Sequence, residues 1–143
     1  MGTERKKLVA NPRKRLDIAF QFNDSQIVAS TVTGTYTSLK KLPIGAIVRS
    51  VKSVTPDGFA GDTTCSLQVG WAANLNKFNG ATETGFAATK TSYTQPAAEA
   101  DSGPLSADTA VVITLTGAAA YASITQGHLY VQIMYEDTNA KAI

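Results

Sequence analysis

The sequence predicts an all-β fold, a jelly-roll-like two-sheet β-sandwich preceded by an extended basic N-terminal arm. Three observations lead there. Segments near 16–22, 63–71, 111–115 and 128–136 alternate apolar and polar residues with a period of two, the pattern of half-buried strands. The chain holds 18 Thr and 21 Ala but only four Glu, which tilts it from helices toward strands and loops. Turn signals separate the alternating segments at short intervals, as in sandwiches and jelly rolls.

The length of 143 residues suits one domain that buries roughly 70% of its unfolded surface. Charged residues make up 17%, against about 25% in typical globular chains. The net charge of +2 hides an asymmetry. Residues 1–15 carry Arg5, Lys6, Lys7, Arg13, Lys14 and Arg15 against Glu4 alone, a local +5; the other seven basic and ten acidic residues leave 16–143 at −3. Asn11-Pro12 forbids a continuous helix and the like charges repel, so 1–15 reads as an extended arm and 16–143 as a single sandwich domain.

Leu16, Ile18, Phe20 and Phe22 form the apolar face of the first strand, which ends at the turn Asn23-Asp24-Ser25. A second strand, about 27–34, is rich in Val and Thr and ends at Gly34. Within 42–55, Ile44, Ile47, Val48 and Val51 have helical spacing. The β-branched residues, Ser50, Ser53 and the lack of interior Ala or Leu argue instead for a strand, bulged near Arg49–Val51. Pro56–Asp62 is a turn. Thr63, Cys65, Leu67, Val69 and Trp71 form the next inward face. Short strands are expected near 84–89 and a long loop over Gln95–Pro104. Val111, Ile113 and Leu115 face inward; Gly117–Gly127 is a connection with an apolar patch around Tyr121 and Ile124. In the last strand Leu129, Val131, Ile133 and Tyr135 oppose His128, Tyr130, Gln132 and Met134.

Composition argues against several kinds of enzyme. A single Cys and a single His exclude an internal disulfide framework, a Cys-cluster zinc site and His-His metal pairs. His128 lacks a nucleophile motif beside it and reads as a surface or interface histidine. Cys65 reads as a small core hydrophobe. Asp57 and Asp62 bracket Gly58 and Gly61; their spacing does not match a helix–loop–helix calcium site, so they read as turn residues capping backbone amides. No phosphate loop, catalytic residue, cofactor or metal is expected. No run reaches the roughly 18 apolar residues of a membrane span, and no apolar segment follows the charged N-terminus as in a signal peptide.

The basic arm is the polar feature above background. Ordering on an acidic partner surface and simple solvation both fit it; the absence of aromatics argues against a nucleic-acid reader. The outward strand faces carry Thr, Ser, Gln and Ala in place of Lys and Glu, and Tyr36, Phe59, Phe78, Phe86, Tyr93, Tyr121, Tyr130 and Met134 sit in loops or on unassigned faces. Low charge with such aromatics is the composition of a contact surface; the alternative is that several of them close the ends of the sandwich.

The step Leu42-Pro43-Ile44-Gly45-Ala46-Ile47-Val48, followed by a strand, a Gly/Asp/Thr turn and Cys65-Ser66-Leu67-Gln68-Val69-Gly70, resembles the first half of small tailed-phage virion proteins. The stretch Ala107–Gly117, then Gly127–Glu136 with its terminal Tyr135-Glu136, resembles their final hairpin. The resemblance covers about residues 16–137 and implies a jelly-roll decoration (cementing) protein. Such a protein binds the capsid exterior as a homodimer or homotrimer, clamps major capsid proteins, and is made in the bacterial host cytoplasm. The arm lies outside the resemblance; its six cations are the candidate capsid contacts. The rival readings are a phage tail or fibre module, whose loop aromatics would form a sugar-stacking groove, and a β-fold enzyme, which the single His disfavours.

Overall fold

The computed structural model describes residues 13–98 and 103–138. Two four-stranded antiparallel sheets face each other. Sheet one has the order β1 (Arg13–Gln21), β8 (His128–Asp137), β4 (Ala46–Thr55), β6 (Lys90–Thr94). Sheet two has the order β2 (Val28–Ala29), β3 (Thr33–Leu42), β7 (Thr109–Gly117), β5 (Cys65–Gly70). From β3 onward every connection crosses to the other sheet, and the first and last strands lie side by side. This is jelly-roll topology.

The core lies between the sheets. Leu16, Ile18 and Phe20 of β1 and Leu129, Val131 and Ile133 of β8 meet Leu67, Val69, Val111, Ile113 and Leu115 of the other sheet. Burying one such side chain is worth about 1.5–3 kcal/mol. The expected bulge is present: the β4–β8 register slips between Val48 and Ser50. It reverses the inward parity of β4, from Ala46 and Val48 to Val51, Ser53 and Thr55. The three-residue step from Val48 to Val51 is therefore a bulge in a strand, which explains the helical spacing.

The structure corrects four sequence expectations and decides between the two readings of the aromatics. Strand β1 begins at Arg13, not Leu16, because Arg13, Lys14 and Arg15 pair with Glu136, Tyr135 and Met134. Residues 27–34 are not one strand: Ser30 N–H donates to the Thr33 carbonyl at 2.8 Å, and the chain reverses from β2 into β3. The strand expected at 84–89 lies at 90–94, and only Glu83 bridges to Leu67. Strand β5 starts at Cys65 and ends at Gly70; Trp71 is half-buried in a bridge with Asn74. Phe59, Phe78 and Phe86 are fully buried, and Tyr36 and Tyr121 nearly so. Phe59, Phe78, Phe86 and Tyr121 close the sandwich, while Tyr36, on β3, stacks on Phe20 across the two sheets with ring centroids 4.3 Å apart.

Candidate interaction surface

Arg5, Lys6 and Lys7 lie outside the described residues. Arg13, Lys14 and Arg15 are exposed on β1, and each has an acidic partner. Arg13 Nε is 4.0 Å from Glu136, Lys14 Nζ 3.4 Å from Asp137 and Arg15 Nε 2.9 Å from Asp17. The bulge turns Arg49 outward, where its guanidinium donates to Glu136 at 2.8 Å. The described part of the basic cluster is thus largely neutralised by the chain's own acids. Such exposed pairs contribute little stability, about 0–1 kcal/mol each.

The two outer sheet faces differ. On sheet two, the register aligns Thr33, Thr116 and Ser66 in one row, Thr35, Thr114 and Gln68 in the next, then Thr37, Val112 and Gly70. No charged residue stands in these rows; Thr114, Val112 and Gly70 are themselves buried, the backbone of Asn74 and Leu75 lying against Gly70, so the open part of the face is its β2–β3 side, where Val28, 72% exposed, stands beside Thr35. Short β-branched side chains flatten the surface and have little rotamer freedom to lose on contact. Sheet one is mixed. Asp17, Gln132, Lys52 and Tyr93 form one row, and Ala19, Tyr130, Val54 and Thr91 the next. Tyr93, Tyr130 and Met134 are the exposed large residues there, with Lys52 Nζ 5.5 Å from the Tyr93 ring centroid.

Both loop aspartates bind backbone amides. Asp57 accepts the His128 N–H at 2.7 Å and meets His128 Nδ1 at 2.5 Å. Burial pushes the Asp57 carboxyl up, but the side-chain and backbone hydrogen bonds of His128 and its charge outweigh this and hold it below the ordinary value. Asp62 accepts from Ala119, Ala120 and Thr63 at 2.9, 3.1 and 2.7 Å. The amide of Ala119, then that of Thr63, keeps its carboxyl low. These are loop clamps: Asp57 ties the β4–β5 loop to β8, and Asp62 ties it to the β7–β8 connection. Cys65 is buried, and burial followed by the Asp62 charge pushes its thiol up to about 12. A thiol held there is inert as a nucleophile at neutral pH.

With Phe78 and Phe86 inside the core, the 78–93 region offers Tyr93 alone as an exposed aromatic, not a stacking groove. Sequence reasoning anticipated low-charge outer faces; it missed that the Thr-rich strand β3 supplies a third of one of them.

No protein-family model matches the chain, and no curated protein matches it. Solved structures do. The chain is similar to one from the Cyanophage Pam1 capsid asymmetric unit, with a TM-score of 0.59 and 21% identity over 89% of this chain and 86% of that one. It is similar to one from the capsid of Ralstonia phage GP4, with a TM-score of 0.56 and 13% identity over 93% and 89%. A third, from the acidic stable capsid of Helicobacter pylori bacteriophage KHP30, gives 0.50 and 20% over 90% of each chain. These likenesses establish a jelly-roll fold shared with chains of phage capsid structures.

Proposed function

We propose that the chain is a non-enzymatic virion structural protein, specifically a decoration (cementing) protein on the outer surface of a tailed-phage capsid. The observation that carries this reading is fold likeness over nearly the whole length of three chains from phage capsid structures. Each is a chain of about this size, so the match is to a complete small capsid component and not to a module inside a large one. The uncharged β2–β3 side of sheet two, Val28 with Thr33, Thr35 and Thr37, supports it, since a surface lacking charge suits contact with a neighbour better than contact with water.

The mechanism is mass action. A protein that binds the assembled, expanded shell and not its separated subunits stabilises the shell by its binding free energy. Many copies, each bridging neighbouring major capsid proteins, resist internal pressure together although each binds modestly. The sheet-two face supplies the fitted contact. Within the arm, Arg5, Lys6 and Lys7 supply the charge, because Arg13, Lys14 and Arg15 already have partners in their own chain.

The test is localisation in the particle. Gold-labelled antibody against the protein should decorate intact virions, and imaging should place its density on the shell exterior. Label confined to the tail, or none on intact particles, would move the reading to a tail module or out of the virion.

A further inference from the structure

Strand β1 is an edge of sheet one, hydrogen-bonded on one side to β8. The Phe22 N–H donates to the Gly127 carbonyl, which fixes the phase of this antiparallel ladder. Even-numbered residues from Lys14 to Phe22 exchange bonds with β8, and the backbone groups of Arg13, Arg15, Asp17 and Ala19 point to the open edge. Among the described residues no backbone bond engages these groups on that side. A cleft of about 190 Å³ runs between this edge and the irregular stretch of β3, lined by Asp17, Ile18, Ala19, Tyr36, Ser38 and Leu39, among others. Leu39 stands beside it 80% exposed.

An unpaired edge is a template for another strand. The charge order along β1 selects which. When the strand is laid antiparallel on its own copy, a two-fold axis at residue 15 opposes Arg15 to Arg15, and one at residue 17 opposes Asp17 to Asp17. An axis at residue 16 sets Arg15 of each copy against Asp17 of the other, Arg13 against Ala19, Lys14 against Ile18 and Leu16 against Leu16. Among such registers this alone pairs opposite charges without opposing like ones. Charge order of this kind adds to cross-strand stability and penalises the alternatives.

We propose that the protein self-associates through β1 in this register, as a two-fold symmetric dimer with one continuous sheet running from β6 of one copy to β6 of the other. About eight backbone hydrogen bonds join the copies, two for each hydrogen-bonded residue pair. The interface is isologous and closed, so it yields dimers and not filaments. A strand on the edge also covers Leu39. A homodimer or homotrimer is what the resemblance implies; the edge and the register are the inference, which leaves the sheet-two face free for another partner.

The test uses two charge reversals and their mixture, read as molar mass by light scattering up to about 100 µM. The natural chain should have the mass of two chains. Asp17→Arg and Arg15→Asp each place two like-charge oppositions at the seam and should weaken the dimer at least about tenfold. Mixed in equal amounts, the two variants oppose acid to base at both crossings, so a two-chain mass should return. The double variant R15D/D17R should also dimerise alone. Circular dichroism confirms that each variant keeps its sheets. A one-chain or three-chain mass for the natural protein, a dimer insensitive to both reversals, or no recovery on mixing would overturn the proposal.

Discussion

Asp57 grips both the backbone and the ring of His128, accepting the His128 N–H at 2.7 Å with one oxygen and meeting Nδ1 at 2.5 Å with the other. One carboxylate thus fixes the β4–β5 loop to the first residue of the last strand. Because its folded-state pKa is depressed, its contribution is present above the ordinary carboxylate value of 3.8 and is lost as pH falls through the lower folded value. Asp57→Ala should cost about 1 kcal/mol at neutral pH, the loss of its hydrogen bonds to the His128 amide and ring. The stability gap between natural and variant proteins should narrow as pH falls below 3.8, as measured by thermal melts across pH. A gap that widens in acid would contradict the clamp.

A second close fit is between Gly34 and Tyr121. A Cβ added at Gly34 would come within 2.5 Å of the Tyr121 ring, whose hydroxyl donates to the Phe22 carbonyl at 2.8 Å. Gly34→Ala should therefore cost about 1–3 kcal/mol by overpacking, and Tyr121→Phe about 1 kcal/mol by losing the bond. The alanine penalty should shrink in a Tyr121→Ala background, since the two sites share one contact. Urea midpoints of the three variants and the double mutant test this; full additivity would count against it.

The buried loop aromatics give a sharp contrast with an exposed one. Phe86→Ala should cost about 3–5 kcal/mol, as truncation of a fully buried Phe does. Tyr93→Ala, at a residue 71% exposed, should stay within about 0.5 kcal/mol. Equal costs would show that the loops are not closed as described.

Much of the fold was legible where one face of a strand is buried and the other is not. Leu16, Ile18 and Phe20, and again Leu129, Val131 and Ile133, alternate because β1 and β8 lie between core and solvent. Strand β3 was hidden because its inward positions include Gly34 and Ser38, which carry no hydrophobic signal. Gly34 makes room for Tyr121, and Ser38 Oγ accepts the Val111 N–H where the β3–β7 register slips. The start of β1 was hidden because Arg13, Lys14 and Arg15 look like a solvated run until Glu136 and Asp137 are brought beside them from over a hundred residues away. The candidate surface was legible as composition, since low charge pointed to contact faces. Its location was not, because only the register between β3, β7 and β5 aligns the threonines.

If the threonine face is the capsid contact, a charge placed at its middle should abolish binding without unfolding the protein. Thr35→Glu lies in the row with Thr114 and Gln68, at a half-buried position beside the exposed Val28. Its melting temperature should move by only a few degrees, while capsid binding should fall at least about tenfold, from an unpaired charge desolvated in an interface. Lys14→Ala, which removes a cation already paired with Asp137, should bind nearly as the natural protein does. Replacing Arg5, Lys6 and Lys7 by Ala should weaken binding and flatten its salt dependence. Binding assays at low and moderate salt separate the three.

Co-sedimentation of the purified protein with expanded capsids stripped of their accessory proteins tests the cementing role most directly. Saturable binding at low salt is predicted, with bound capsids surviving heat or chelation that ruptures bare ones. Protein that stays in the supernatant at low salt, or that binds without making the shell more resistant, would contradict it.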